Sequence, residues 1–271
     1  MSGPNGRWTG RMSLVSVKCF GVGDGVPNVD RNHSSYLYTL GGASVLIDCG
    51  EPVSRSLKAS GMSYDGIDRL VISHLHSDHF GGFLMLLQSF WLEQRRKELV
   101  VHLPREAIAP VRQMLRVAYL FEEMMPFQMR FEPLRSGEAI PIGGLAVTPH
   151  PTTHLDKLRE KFSGKYPGDY EAFCFLLEAG GKRLAHSCDL GAPEDLAPLL
   201  AQPVDLLVCE VSHFEPQALF DYLSRHKVKR LALVHIARWR WEQVEKVREA
   251  ARKTLPGVEV LVPRDQEEIT I

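Results

Sequence analysis

Four side chains able to bind a metal ion fall within six residues, at His74, His76, Asp78 and His79. Imidazole nitrogens and carboxylate oxygens are ordinary ligands for zinc and similar divalent ions. In extended or irregular backbone His74 and His76 point the same way, because side chains repeat with a period of two. They could therefore bind one ion while Asp78 and His79 turn toward a neighbouring one. A solitary loop histidine would read as a solvated residue. Four such groups directly after the apolar run at 70–72 read as a metal centre.

The elements that must position these groups follow from hydrophobic patterning. Strands are expected at 13–20, at 34–40 and 44–50 around the Gly41-Gly42 pair, at 69–73, 99–103, 128–134 and 145–149. A hairpin turning at Gly180-Gly181, buried strands at 204–209 and 231–234, and short strands at 258–262 and 267–271 complete the set. Helices are expected at 53–59, 82–97, from Pro104 with Ile108, Val111 and Leu115 on one face, at 216–224, and around Val244, Val247 and Ala251. The run 119–127, rich in aromatics and methionine, reads as packing or as a flap over a substrate. Sequence patterns alone allow any layered α/β fold.

His74-Leu75-His76-Ser77-Asp78-His79, followed by Gly81-Gly82, resembles the HxHxDH motif of the metallo-β-lactamase fold superfamily. The resemblance implies a four-layer αββα sandwich, an α/β fold of mixed sheets with helices outside, in two pseudo-duplicated halves with metals at the shared sheet edge. It also implies further ligands from the later chain, where His154, Asp189 and His235 each follow an apolar strand. By resemblance His154 takes the third-histidine position, with His150 its rival, Asp189 is the bridging aspartate and His235 the last histidine. One ion would then be held by His74, His76 and His154, the other by Asp78, His79 and His235. Asp48, ending the strand at 44–50, is expected to support the metal loop by hydrogen bonds or to cap a turn. His186 is expected to be a bystander. Water between two such ions would ionise near neutrality and give a hydroxide nucleophile, with Asp78 accepting a hydrogen bond from it.

A second resemblance lies in PNVDRNHSS at 27–35 and LIDCG at 46–50, which is similar to the opening of the tRNase Z branch, P-x-K-x-RN-x-SS then L-x-DCG. Val29 replaces the lysine. That branch carries a glutamate in a HEAT phrase and a histidine in a GHST phrase 22 residues before the last metal histidine. Here Glu210 lies in VCEVSHF, and His213 stands 22 residues before His235. The resemblance implies catalytic roles for Asp78, His213 and Glu210, with His213 stabilising charge or protonating a leaving group and Glu210 orienting it. Capping of the helix near Pro216 is the plainer role for His213. HIARWR at 235–240 is only loosely similar to the branch's HFSxRY, and the glycine-rich arm that grips tRNA has no evident counterpart.

Composition bounds the partners. The 271 residues carry 32 Lys and Arg against 33 Asp and Glu, a formal charge of −1, so a globally basic nucleic-acid footprint is absent. Arg238 and Arg240 are candidate phosphate clamps or solvated arginines, and a pocket lined by them and Arg31 would favour phosphate. No run reaches the roughly 18 apolar residues of a membrane span. Residues 1–12 read as a disordered leader without a signal peptide's apolar core, 13–271 as one domain, and the location as cytoplasmic. The five cysteines form no CxxC pair and are expected to be buried free thiols.

The function expected is that of a binuclear hydrolase with two divalent ions, zinc foremost and manganese or iron as alternatives. Its metal-bound hydroxide would cleave a phosphodiester in a small-molecule or short nucleic-acid substrate, without a membrane partner, and the resemblance allows a homodimer. Hydrolysis of an ester, lactone or thioester, a non-catalytic metal-containing binding role, and tRNA 3′ processing are the alternatives.

Overall fold

The computed structural model describes residues 15–271, and the expected leader lies outside them. Two seven-stranded sheets form. The first comprises β1 (Ser16–Gly21), β2 (Ser35–Leu40), β3 (Ala43–Ile47), β4 (Arg69–Val71), β5 (Leu99–Leu103), β6 (Met129–Pro133) and the last strand, β14 (Glu268–Thr270), in the order β14-β1-β2-β3-β4-β5-β6. The second comprises β7 (Ile140–Ile142), β8 (Leu145–Pro151), β9 (Phe173–Ala179), β10 (Lys182–His186), β11 (Leu206–Val211), β12 (Arg230–Ile236) and β13 (Glu259–Leu261), running spatially from β13 back to β7. Helices α1 (Val53–Ala59), α2 (Ser77–Phe80), α3 (Phe83–Leu92), α4 (Ile108–Val117), α5 (Asp156–Phe162), α6 (Pro216–Leu223) and α7 (Val244–Thr254) lie between strands.

The halves repeat one plan. Each has an antiparallel hairpin, β2-β3 or β9-β10, whose second strand begins a run of four parallel strands. Both hairpins turn on a Gly-Gly pair, Gly41-Gly42 and Gly180-Gly181, with all four residues at positive φ. A two-residue turn of that geometry suits the twist of the flanking strands, and only glycine adopts it without a Cβ penalty.

Alternation along the strands separates three apolar layers. Val45, Ile47 and Val71 face the space between the sheets, where they meet Val147, Phe175, Leu177, Val208 and Val234. Leu46, Leu70 and Val101 face the other way, under Val53 and Leu57 of α1, Phe83, Leu87 and Phe90 of α3, and Val111 and Leu115 of α4. In the second sheet Leu207, Cys209, Leu231 and Leu233 lie under Leu219, Phe220 and Leu223 of α6 and Ala251 of α7. A strand buried on both faces must be apolar throughout, which is why these runs read as continuous rather than alternating. The arrangement is the expected αββα sandwich.

Local departures have physical causes. The long helix after the metal loop stops at Leu92, because Gln94 takes positive φ and the buried Arg95 donates to the carbonyls of Ile67 and Glu98. β7 escaped sequence reading because Pro141 stands at the centre of its three residues, and a proline argues against a strand. In the 119–127 run Leu120, Met125 and Phe127 are buried beside α3 and α4, while Tyr119, Phe121 and Met124 are exposed. Its apolar half is packing. All five cysteines are free and buried. No helix among the described residues is long and apolar enough to cross a membrane.

Candidate active site

Parallel strands align their carboxyl ends, and in layered α/β folds functional groups gather beyond those ends. The segment after β4 carries His74 to His79, the loop after β8 carries His154, the loop after β10 carries Asp189, and the segment after β11 carries His213. His235 sits within β12, where the register passes from Glu210↔Val234 to Val211↔Ile236 and leaves it as the extra residue of a bulge. Its φ is 45°, and its N–H donates to the carbonyl of Val22, just past the end of β1 in the other half. A bulge re-aims a side chain at a strand end, here into the site. Asp48 and Cys188, which flank ligand segments, also hold positive φ (59° and 46°). Such strained backbone persists where the surrounding structure fixes it.

Asp189 stands at the centre. Its Oδ2 faces His154 Nε2 at 3.6 Å and His74 Nε2 at 3.8 Å, while Oδ1 faces His79 Nε2 at 3.1 Å and His235 Nε2 at 3.6 Å. His154 Nε2 is 3.1 Å from His76 Nδ1, and Asp78 Oδ2 is 3.1 Å from His235 Nε2. Two ligand groups result, His74, His76, His154 and Asp189, and Asp78, His79, His235 and Asp189, each with its donor atoms within 4.8 Å of one another. The buried Nε2 of His74 and Oδ1 of Asp189 have no hydrogen-bond partner. Buried polar atoms are seldom left so. Nitrogen lone pairs and carboxylate oxygens converging without donors between them are what a pair of cations fits.

A hydrogen-bonded frame orients these ligands. Asp48 Oδ1 accepts the backbone N–H of Ser73 (2.7 Å), and its Oδ2 accepts Ser73 Oγ–H (2.8 Å) and His79 Nδ1–H (2.6 Å). With its own hydrogen given to Asp48, Ser73 Oγ is an acceptor for His74 Nδ1–H at 3.0 Å. Both rings then present Nε2 lone pairs to the site, the usual way an outer carboxylate fixes a ligand tautomer. Asp48 therefore supports the metal loop. The loop is also pinned through its backbone, since Cys49 N–H donates to His79 O (2.7 Å) and Gly82 N–H to Cys49 O (2.9 Å). A Cβ on the intervening Gly50 would lie 2.1 Å from the carbonyl oxygen of Asp78, so only glycine permits this approach.

Glu210, fully buried, is saturated. Oε1 accepts Leu190 N–H (2.7 Å) and His213 Nδ1–H (2.8 Å), and Oε2 accepts the N–H groups of Ser212 (2.9 Å) and His213 (3.1 Å). His213 Nε2 is thereby aimed at the centre, 3.7 Å from Asp189 Oδ2. It does not cap α6, whose N-cap residue is Glu215. Burial opposes a charged ring at His213, but the hydrogen bond to Glu210 and the charges of Glu210 and Asp189 outweigh it and raise the pKa above its ordinary value. Burial, reinforced by the neighbouring His79, pushes His74 well below the ordinary range, as suits a neutral ligand.

Of the candidates named from sequence, His74, His76, Asp78, His79, His154, Asp189, His235, Glu210 and His213 all meet here. His150 does not. On β8 the odd positions Leu145 and Val147 face the inter-sheet core, so His150 points from the opposite face. His186 is a bystander, its Nδ1 2.6 Å from Tyr38 Oη beneath the site. Arg240 corrects the expectation of a phosphate clamp, for it is buried and donates to backbone carbonyls. Arg31 stacks on Trp241, its guanidinium 3.4 Å from the ring centroid. Sequence reading missed Ser73, whose signal was a small polar residue interrupting an apolar strand end. It also missed Asp195, which accepts from Thr153 N–H, Thr153 Oγ1–H and Gly191 N–H and so joins the His154 and Asp189 loops.

The ribonuclease Z of Archaeoglobus fulgidus is 31% identical over 144 residues, 53% of this chain and 46% of that protein, so the match spans about half the relative's length. That of Methanothermobacter thermautotrophicus is 25% identical over 295 aligned positions covering 91% of this chain and 94% of the relative. Among solved structures, the metallo-β-lactamase fold protein YhfI of Bacillus subtilis superposes with a TM-score of 0.76 at 17% identity, covering 96% of this chain and 100% of its own. The short form of human tRNase Z gives 0.71 at 19%, covering 94% and 99%. Residues 15–223 match the family model described as the anti-Pycsar protein Apyc1. With that match spanning most of its length and both sheets superposing on YhfI, the chain is a metallo-β-lactamase fold protein belonging to the Apyc1 family.

Proposed function

We propose that this protein is a binuclear metal-dependent hydrolase of phosphodiester bonds, acting on a small-molecule or short nucleic-acid substrate. The observation that carries the reading is the position of Asp189, one carboxylate oxygen facing each ligand group. His74, His76 and His154 would hold one ion and Asp78, His79 and His235 the other, with Asp189 between them and zinc the first choice for this donor set. Ions there would polarise a phosphoryl oxygen and make water nucleophilic near neutral pH. The relatives support the bond type, two being ribonucleases Z.

The chain's own groups do the rest. Asp48 and Ser73 hold His79 and His74 in one tautomer. Asp78 Oδ2, on the side of the centre lined by His235, can accept a hydrogen bond from water and orient it. His213 Nε2 holds a proton beside the reacting centre, and Glu210 Oε1, accepting from Nδ1, stabilises the charged ring. Such a group can neutralise an equatorial phosphoryl oxygen or protonate the departing alkoxide.

One observation favours a second reading, hydrolysis of an ester, lactone or thioester. A cavity of about 470 Å³ beside the metal loop is lined by Leu75, Phe80, Leu84, Val111, Met114 and Leu155 and would suit an acyl chain. Initial rates on bis-p-nitrophenyl phosphate and on a panel of acyl esters and lactones, after metal analysis, decide between them. Diester turnover that depends on His213 is expected. Turnover of carbonyl substrates alone, unaffected by His213→Ala, would overturn it.

A further inference from the structure

Arg240 lies five residues after His235, on the 3-10 turn Arg238–Gln243, and is 5% exposed. Its Nη1 donates to the carbonyls of Val211 and Phe214, both at 2.7 Å, and its Nη2 to Glu215 Oε1 at 3.0 Å. All three acceptors fall in residues 211–215, from the last residue of β11 to the N-cap of α6. The two carbonyls bracket the dipeptide Ser212-His213.

A guanidinium is taken out of water only where hydrogen bonds compensate it. The Glu215 side chain is 80% exposed, so that ion pair contributes little. The carbonyls are the partners that hold the group, and they would be left without their donor if it were removed. On the other side of the same dipeptide, Glu210 accepts both amide N–H groups and the ring Nδ1–H. Ser212-His213 is thus gripped by its N–H groups from β11 and by its flanking carbonyls from the segment after β12. The second grip also sets His213 against His235, whose rings stack at 5.6 Å between centroids.

We infer that Arg240 is a positioning residue for His213, tying the loop that carries it to the segment that carries His235. This rests on the proposed hydrolase reading and extends it, because Arg240 acts on the reaction only through His213. Arg238, two residues earlier, is exposed and shares no such contacts.

The test uses the metal-loaded protein and the variants Arg240→Met, Arg240→Lys, His213→Ala and the double variant Arg240→Met/His213→Ala. Arg240→Met is expected to lower kcat on bis-p-nitrophenyl phosphate by about 10- to 100-fold, the effect of a misplaced catalytic group. KM and metal content stay unchanged, and Arg240→Lys recovers part of the loss. The double variant is expected to be no slower than His213→Ala alone, since the two residues act as one unit. Independent multiplication of the two losses would overturn the inference. Hydrogen exchange at the Ser212 and His213 amides provides a readout that needs no substrate, and both are expected to exchange faster in Arg240→Met and, to a lesser degree, in Arg240→Lys. Unchanged exchange in both variants overturns the inference even if no diester is turned over. Absent diester turnover with faster exchange overturns the hydrolase reading alone. If Arg240→Met does not fold, the lysine variant carries both readouts.

Discussion

His79 Nδ1 lies 2.6 Å from Asp48 Oδ2, with both side chains cut off from solvent. The contact crosses from the end of β3 to α2 at the end of the metal loop, and the same carboxylate holds Ser73 at the loop's start. One residue outside the ligand set thus fixes two ligands. Asp48→Asn keeps the shape but loses the charge and one acceptor. It is expected to weaken metal affinity by about 10- to 100-fold, measured by competition with a chromophoric chelator, with the circular dichroism spectrum unchanged.

Asp189 and His213 separate into two kinds of loss. Asp189→Ala removes the carboxylate shared by both ligand groups, so metal content and activity are expected to fall together. His213→Ala leaves the ligand groups intact, so kcat is expected to fall by about 10²- to 10⁴-fold with metal content unchanged. Elemental analysis beside initial rates checks both. A His213→Ala protein that loses its metal would contradict the role given to this ring.

Chelation tests whether the centre contributes to stability as well as chemistry. Seven ligand groups converge from segments after β4, β8 and β10 and from within β12, and without a cation their carboxylates and imidazoles must pair with one another. A ligand that binds only the folded state stabilises it by mass action. Treatment with a strong chelator is therefore expected to lower the Tm and abolish activity, with both restored by added Zn²⁺. An unchanged Tm across removal and reloading would argue against cations held by this frame.

His102, outside the ligand set, predicts acid sensitivity. On β5 it is 8% exposed, and burial, with the charges of Arg69 and Arg130, lowers its pKa from 6.5 to about 4. The folded state therefore favours the neutral ring. Stability from this group is complete above pH ~6.5, the ordinary value of an unfolded histidine, and is lost as pH falls toward and through 4. The loss is on the order of 3 kcal/mol. Urea denaturation of the wild type and of His102→Gln at pH 7.5 and 4.5 reads it, the variant being expected to lose less stability over that interval. Equal losses would show that His102 does not titrate as the structure requires.

Gly50 tests the close approach beneath the metal loop. Gly50→Ala would drive a Cβ against the Asp78 carbonyl, with backbone on both sides and no flexible side chain to yield. Destabilisation of about 1–3 kcal/mol with reduced metal binding is expected. Wild-type thermal stability with full metal content would show that the loop can shift.

The sequence by itself determined the metal loop, because its four ligand types lie within six residues and local spacing needs no tertiary information. It also determined most strands and both hairpins, since runs such as those at 45–47 and 231–234 must be buried on both faces and Gly-Gly pairs mark turns with positive φ. Resemblance, rather than spacing, named the distant partners. The tertiary structure decided between His150 and His154, because pleating turns His150 away from the inter-sheet core while the loop beyond β8 carries His154 to within 3.1 Å of His76. It showed that His213 is oriented by Glu210 rather than capping α6. It also turned Arg240 from a candidate phosphate clamp into a buried donor to main-chain carbonyls. A side chain's type shows what it can bind. Which partner it binds depends on how strands distant in sequence bring their ends together, and that is fixed only when the sheets pack.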